Sequence, residues 1–129
     1  MEVKVKLAKS KILEGIRCII SDKDITKDEI IEECPILLLP MPDMQYISKT
    51  VMDKYEFVWN EKNDALVLGY GSLYNHSFEP NVRFVRDFEN NLMKFIAIRD
   101  IAAGEELFIN YMQGEDTQSI PNEYVDYSH

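Results

Sequence analysis

Two polar segments hold the residues best suited to chemistry. The first is Gly69-Tyr70-Gly71-Ser72-Leu73-Tyr74-Asn75-His76-Ser77-Phe78-Glu79-Pro80-Asn81. The second is Gly104-Glu105-Glu106-Leu107-Phe108-Ile109-Asn110-Tyr111. A histidine beside a serine invites a hydrolytic reading. Adjacent residues of an extended segment point to opposite sides, so His76 and Ser77 cannot pair as base and nucleophile. The other histidine, His129, stands in the tail and completes no triad. Taken alone, Asn75-His76-Ser77 reads as a tight polar turn with buried hydrogen bonds. Taken alone, Tyr111 is one of seven tyrosines, placed at a strand end.

The two segments together, in this order, carry more. They resemble the paired signature of the SET-domain protein lysine methyltransferases. The first is similar to that family's Asn-His-Ser-x-x-Pro-Asn segment. The second is similar to its Gly-Glu-Glu-Leu-x-x-x-Tyr segment, which ends in the catalytic tyrosine. The resemblance covers nearly all of residues 5–112 and is closest to the minimal viral and bacterial members. It implies a mostly-β fold of several small sheets, with a C-terminal strand threaded beneath the Asn75-His76-Ser77 loop as a pseudoknot. It implies an S-adenosylmethionine-dependent protein lysine N-methyltransferase in which Tyr111 is catalytic. Asn75 and His76 would contact the cofactor, with backbone groups of His76 at the adenine, and Asn81 would be structural. Tyr55, Tyr70, Tyr74 and Phe84 are the candidate walls of a substrate channel. Phe84 falls where family members carry a residue that helps set how many methyls are added. Each of these four has an equally good reading as a core residue.

The chemistry explains why such a site is built from aromatic and neutral polar groups. A lysine ammonium, with a pKa of about 10.4, is not a nucleophile at neutral pH. A narrow apolar channel beside a sulfonium cation disfavours that charge. The neutral amine must then meet the methyl carbon in line, at about 3 Å. Tyrosine hydroxyls and carbonyl oxygens hold that geometry without competing as nucleophiles. Aromatic faces accept a methylated ammonium through cation–π attraction.

Two departures from the family pattern stand out. Its opening Gly-x-Gly corresponds here to Gly15-Ile16-Arg17. Gly15 fits the first glycine. Arg17 replaces the second and either pairs with the cofactor carboxylate or crowds the pocket. There is also no cysteine-rich segment after Tyr111. Residues 1–112 are expected to form the SET domain, followed by a tail at 113–129 in which Tyr124 and Tyr127 could close the channel. The alternative is a SET-like binding module with little turnover, and a third reading is an unrelated mostly-β protein.

The elements that must position these residues are legible as short strands. Residues 2–7 alternate at period two, and Cys18–Ser21 reads as a second strand. Residues 30–34 and 36–39 are strand-like runs separated by Pro35, which lacks an amide donor and belongs at strand ends or edges. Residues 44–52 have a short helical spacing. Tyr55–Trp59 alternates aromatic and polar, and 65–68 is an apolar run. Residues 82–87 and 92–99 flank a turn as a hairpin, and 106–111 is the last strand.

Bulk composition sets the frame. The 129 residues suggest one domain, 46% of them hydrophobic. No run approaches the ~20 apolar residues of a membrane span, and the start of the chain lacks the apolar stretch of a signal peptide. A soluble intracellular protein is expected, cytoplasmic, with the nucleus or secretion into a host left open. Lys and Arg total 14 against 23 Asp and Glu, a net charge of −9. That disfavours nucleic acid as the main partner and suits a basic protein or peptide substrate, a histone-like tail among them. Plain solubility explains it as well. A homodimer is compatible with the resemblance. Cys18 and Cys34 read as a reduced pair, with a disulfide as the alternative. Their spacing and that of the histidines disfavour a metal site.

Overall fold

The computed structural model describes residues 3–113. Nine strands are present there, with little helix. β1 (Val5–Lys9) and β2 (Arg17–Ser21) form an antiparallel ribbon, in register from Val5 opposite Ser21 to Lys9 opposite Arg17. A five-stranded antiparallel sheet follows, in the order β4 (Glu56–Val58), β5 (Asn63–Val67), β3 (Ile30–Pro40), β8 (Leu92–Ala97), β7 (Val82–Asp87). The third sheet is the short parallel pair β6 (Asn75–His76) and β9 (Phe108–Ile109).

The two runs expected on either side of Pro35 are one strand. Pro35 sits where β3 changes partners: residues up to Pro35 pair with β8, and residues from Ile36 onward pair with β5. The proline's carbonyl accepts from the Leu68 amide at 2.9 Å. Its missing N–H falls at the change of partner, so the strand continues. Earlier in β3 a bulge between Ile30 and Glu32 shifts the register against β8.

The core lies on the inner face of the large sheet. Met93, Phe95 and Ala97 alternate inward from β8, with Val82 and Phe84 from β7. Ile19, Ile31, Leu107 and Ile109 join them. The 3-10 turn Gly71–Leu73 packs so closely that a Cβ on Gly71 would clash with the Val67 side chain and lie 2.9 Å from Phe95 Cε2. The helical stretch expected over 44–52 is split. α1 (Met44–Ile47) stops at Ser48, and a second turn over Val51–Lys54 is capped by the Thr50 hydroxyl, which accepts from Met52 N.

The last strand is shorter than the 106–111 expected, because its residues serve two neighbours. Ser21 N donates to Glu105 O and Leu107 N to Ile19 O, which binds the segment to β2. On its other side Phe108 N donates to Asn81 Oδ1 at 2.8 Å, and Asn81 Nδ2 donates to Glu106 O at 2.8 Å. The 105–108 segment therefore runs between β2 and the 75–81 loop, bonded to both. Cys18 and Cys34 are free, buried thiols. Burial, then the Glu106 side chain, pushes the Cys18 thiol up to about 11, and burial followed by Glu32 pushes Cys34 higher still, so neither is a reactive thiolate.

Candidate active site

β6 and β9 bring the two polar segments together. Their parallel pairing sets Asn75 beside Phe108 and His76 beside Ile109, and Ser77 N donates to Ile109 O at 2.9 Å. Tyr111 follows directly. Its amide donates to His76 Nδ1 at 3.1 Å, and its hydroxyl donates to the main-chain carbonyl of Tyr74 at 3.0 Å. The His76 and Tyr111 rings lie 4.9 Å apart. A half-buried phenol is thus held at both its backbone and its hydroxyl, with the polar end on a carbonyl oxygen.

Tyr111 lines a cavity of about 30 Å³, room for roughly one water or a slender side chain. Tyr55, Phe57, Ser72, Tyr74, Phe84 and Arg86 share that wall. Phe57 stands edge-on to Phe84 at 5.2 Å. Arg86 is fixed by donating from Nε to Val58 O at 2.7 Å, and its guanidinium sits 5.5 Å over the Phe84 ring. Of the four aromatic candidates, Tyr55, Tyr74 and Phe84 meet Tyr111 here. Tyr70 does not line the cavity; it is half-buried against the core. Phe57 was not singled out from sequence, since one aromatic in an alternating strand carries no mark of where its ring goes.

Behind the cavity, Tyr74 is buried and its phenol donates to Glu32 Oε1 at 2.7 Å. Burial raises the Glu32 carboxyl above its ordinary value, opposed by hydrogen bonds from the Tyr74 phenol, the Cys34 thiol and the Tyr70 amide. Burial, then the Glu32 charge, raises the Tyr74 phenol. Past Tyr111, Gln113 clasps β7: Phe84 N donates to its Oε1 at 2.7 Å and its Nε2 donates to Phe84 O at 2.6 Å. Neither Glu32 nor Gln113 was visible as a site residue in the sequence.

The expected cofactor residues lie on β6, at the start of β2 and in the turn before it. Asn75 is buried and donates from Nδ2 to the Arg17 carbonyl at 3.0 Å, which ties β6 to β2. The Arg17 side chain is exposed and turned toward Tyr55, with its guanidinium 5.7 Å from the ring and Nη2 3.5 Å from the hydroxyl. Gly15 has φ +83, a left-handed turn that glycine adopts without strain, and its amide donates to Ser10 O at 2.9 Å. Beside His76 opens a second, larger cavity of about 320 Å³, lined also by Ile12, Leu13, Ser77, Arg99 and Phe108. Gly15, Arg17 and Asn75 are not among its lining residues. Tyr124 and Tyr127 lie outside the described residues. Among the described residues, no group of three or more His, Cys, Asp or Glu is placed to hold a metal ion, and no helix is long and apolar enough to cross a membrane.

Small curled sheets around a parallel pair, with a tyrosine hydroxyl set on a main-chain carbonyl beside an aromatic cavity, define the SET type of methyltransferase fold. The SET domain family model matches residues 16–112, and the chain belongs to that family. It is 38% identical over 82 residues to a Schizosaccharomyces pombe histone-lysine N-methyltransferase specific for H3 lysine-37, covering 63% of this chain and 56% of the relative. It is 34% identical over 107 residues to a SET domain-containing protein of Acanthamoeba polyphaga mimivirus, covering 83% of this chain and 34% of the relative. The chain therefore spans about half the length of the first relative and a third of the second. Among solved structures, a Plasmodium falciparum protein described as a histone methyltransferase superposes with a TM-score of 0.71 at 30% identity, over 89% of this chain and 98% of that one. A Chaetomium thermophilum Polycomb Repressive Complex 2 chain does so at 0.70 and 27%, over 88% of this chain and 15% of that one.

Proposed function

We propose that this protein transfers a methyl group from S-adenosylmethionine to a lysine side chain of a basic protein, with Tyr111 as the catalytic residue. The observation that carries this reading is the Tyr111 hydroxyl, anchored 3.0 Å from the Tyr74 carbonyl in the wall of a narrow aromatic cavity. A lysine side chain is long, thin and apolar along its stem. A cavity of this width strips water from its amine and disfavours the ammonium. Phe57, Phe84 and Tyr55 supply faces against the stem, and Tyr111 and Tyr74 supply the polar end that orients the amine lone pair.

The residues present fit the cofactor. Gly15, Arg17, Asn75 and His76 would hold it: the Asn75 bond to Arg17 keeps β2 and β6 together, and His76, alone of the four, lines the roomy cavity. When bound, it supplies an activated methyl on a sulfonium. Arg17, exposed and turned toward Tyr55, would offer its charge to the carboxylate end. The S. pombe relative is named for a histone H3 lysine, and the acidity of this chain suits the same class of substrate, a lysine-rich tail.

Incubation with labelled S-adenosylmethionine and a panel of histone-tail and other basic peptides tests the reading. Label on a lysine, lost in Tyr111→Phe, is the expected result. Cofactor binding without methyl transfer to any peptide would leave a SET-like binding module instead.

A further inference from the structure

We infer that Glu32 is a positioning residue for this reaction: it holds Tyr74 by the phenol, and Tyr74 in turn offers its main-chain carbonyl to the Tyr111 hydroxyl. The inference rests on the methyltransferase reading above and adds a residue to it.

The bulge in β3 is the starting point. Ile30 lies opposite Ile96, but Glu32 lies opposite Phe95, so the register shifts within one residue pair. Phe95 faces the core, and the shift turns Glu32 inward beside it. Without the bulge the strand's alternation would aim this carboxyl outward, as it does Glu33 opposite Lys94.

The Tyr74 phenol donates to the inward carboxyl at 2.7 Å. The Cys34 thiol and the Tyr70 main chain lie beside it and hold its charge in the same sense. Gly69 opens the 70–74 turn at a φ of +66, a conformation that glycine adopts without strain. Glu32 thus ties the Tyr74 end of that turn to β3. Tyr74 has little freedom left, with its ring 4.7 Å from Phe95 and its phenol on Glu32. Its carbonyl direction is fixed with it, and that carbonyl is the acceptor for Tyr111. An apolar residue would fill the same space without burying a carboxyl. The carboxyl adds direction, because a hydrogen bond fixes the phenol where packing alone would let the ring slide.

The test compares Glu32→Leu, Glu32→Gln and Tyr74→Phe in the full chain. Glutamine keeps an acceptor for the phenol, leucine does not, and Tyr74→Phe removes the donor with little change of shape. Glu32→Leu and Tyr74→Phe should lower kcat on the order of ten-fold or more, as expected when a reacting group loses its alignment. KM for peptide and the cofactor Kd should stay within about two-fold, and Glu32→Gln should stay near wild type. A core truncation of similar stability loss, Ile25→Val, is the control and should keep kcat.

A second readout does not depend on turnover. In NMR of ring-labelled tyrosine, the Tyr111 Cζ signal, assigned with Tyr111→Phe, should shift in Glu32→Leu and Tyr74→Phe as its hydroxyl bond to residue 74 changes. An unmoved signal in both variants overturns the inference, as does a fall in kcat that Ile25→Val reproduces. A moved signal in a protein that methylates no peptide would uphold the coupling and sink the methyltransferase reading instead.

Discussion

Tyr111 does two jobs that a single substitution separates. Its ring packs on His76, and its hydroxyl reaches the Tyr74 carbonyl. Tyr111→Phe removes only the second. If the hydroxyl acts in the transition state, turnover should fall steeply while the melting temperature and the cofactor Kd stay close to wild type. Unfolding of the variant would instead make Tyr111 a core residue. Asn75 differs, because its amide is already engaged by the Arg17 carbonyl. Asn75→Ala leaves that part-buried acceptor without its donor, so it should cost stability on the order of 1–3 kcal/mol in urea unfolding. It should also weaken cofactor binding in calorimetry, because β2 and β6 lose the bond that aligns them. Lost stability with unchanged affinity would take Asn75 out of the cofactor site. At this scale the sequence was informative where a residue type is unusual in its setting. Tyr74 and Tyr111 stand in the motif and Tyr55 and Phe84 were candidate walls beside it; these four meet around one cavity, and Tyr70, the remaining candidate, does not line it. Glu32, Phe57 and Gln113 were not, because their roles depend on a bulge, a strand face and a clasp that no local pattern encodes.

Secondary elements show the same division. The hairpin β7–β8 and the ribbon β1–β2 follow alternation and local turns, and both lie close to where the pattern puts them. Pro35 was misread, since a strand that switches neighbours at the proline needs no amide there. Gly71 is required by packing, as its turn presses on Val67 and Phe95. Gly71→Ala overpacks that contact and should cost about 1–3 kcal/mol in chemical unfolding. An unchanged midpoint would mean that the turn can retreat. The β4–β5 pair carries a different strain. Glu56 and Asp64 are both buried, on the face opposite Ala65 and Val67. Burial first, then the charges of Asp64 and Asp53, pushes the Glu56 carboxyl up to about 8 from an ordinary value of 4.5. The folded state therefore binds more protons than the unfolded one between those values. Its contribution to stability is complete below about pH 4.5 and is lost as pH rises toward 8. Melting temperature should fall across that window and level off above it. Glu56→Gln should flatten the slope, and an identical slope in that variant would show that the proton is held elsewhere. The lowered carboxyls of Glu29, Asp87 and Glu105 act in the opposite sense and below that window.

At the scale of the molecule, charge and cavity pull in different directions. The chain carries −9 overall, with 23 acidic residues against 14 basic ones. The small cavity departs from that balance. Its wall includes Lys54 and Arg86, and the one carboxyl among its residues, Glu56, is held protonated up to about pH 8. A basic substrate is therefore attracted by the wider surface rather than by the cavity itself. Such long-range attraction speeds the encounter and is screened over about 8 Å at physiological ionic strength. Added salt should lower kcat/KM for a Lys/Arg-rich peptide while leaving kcat nearly unchanged, because the bound lysine sits where salt hardly reaches. A control peptide of zero net charge around the same lysine should show a much flatter dependence. If the basic peptide's kcat/KM is also flat from low to high salt, the acidic surface serves solubility alone and the substrate is not chosen by charge. If kcat falls with salt as well, the cations of the cavity wall take part in holding the substrate, and encounter is not separate from chemistry.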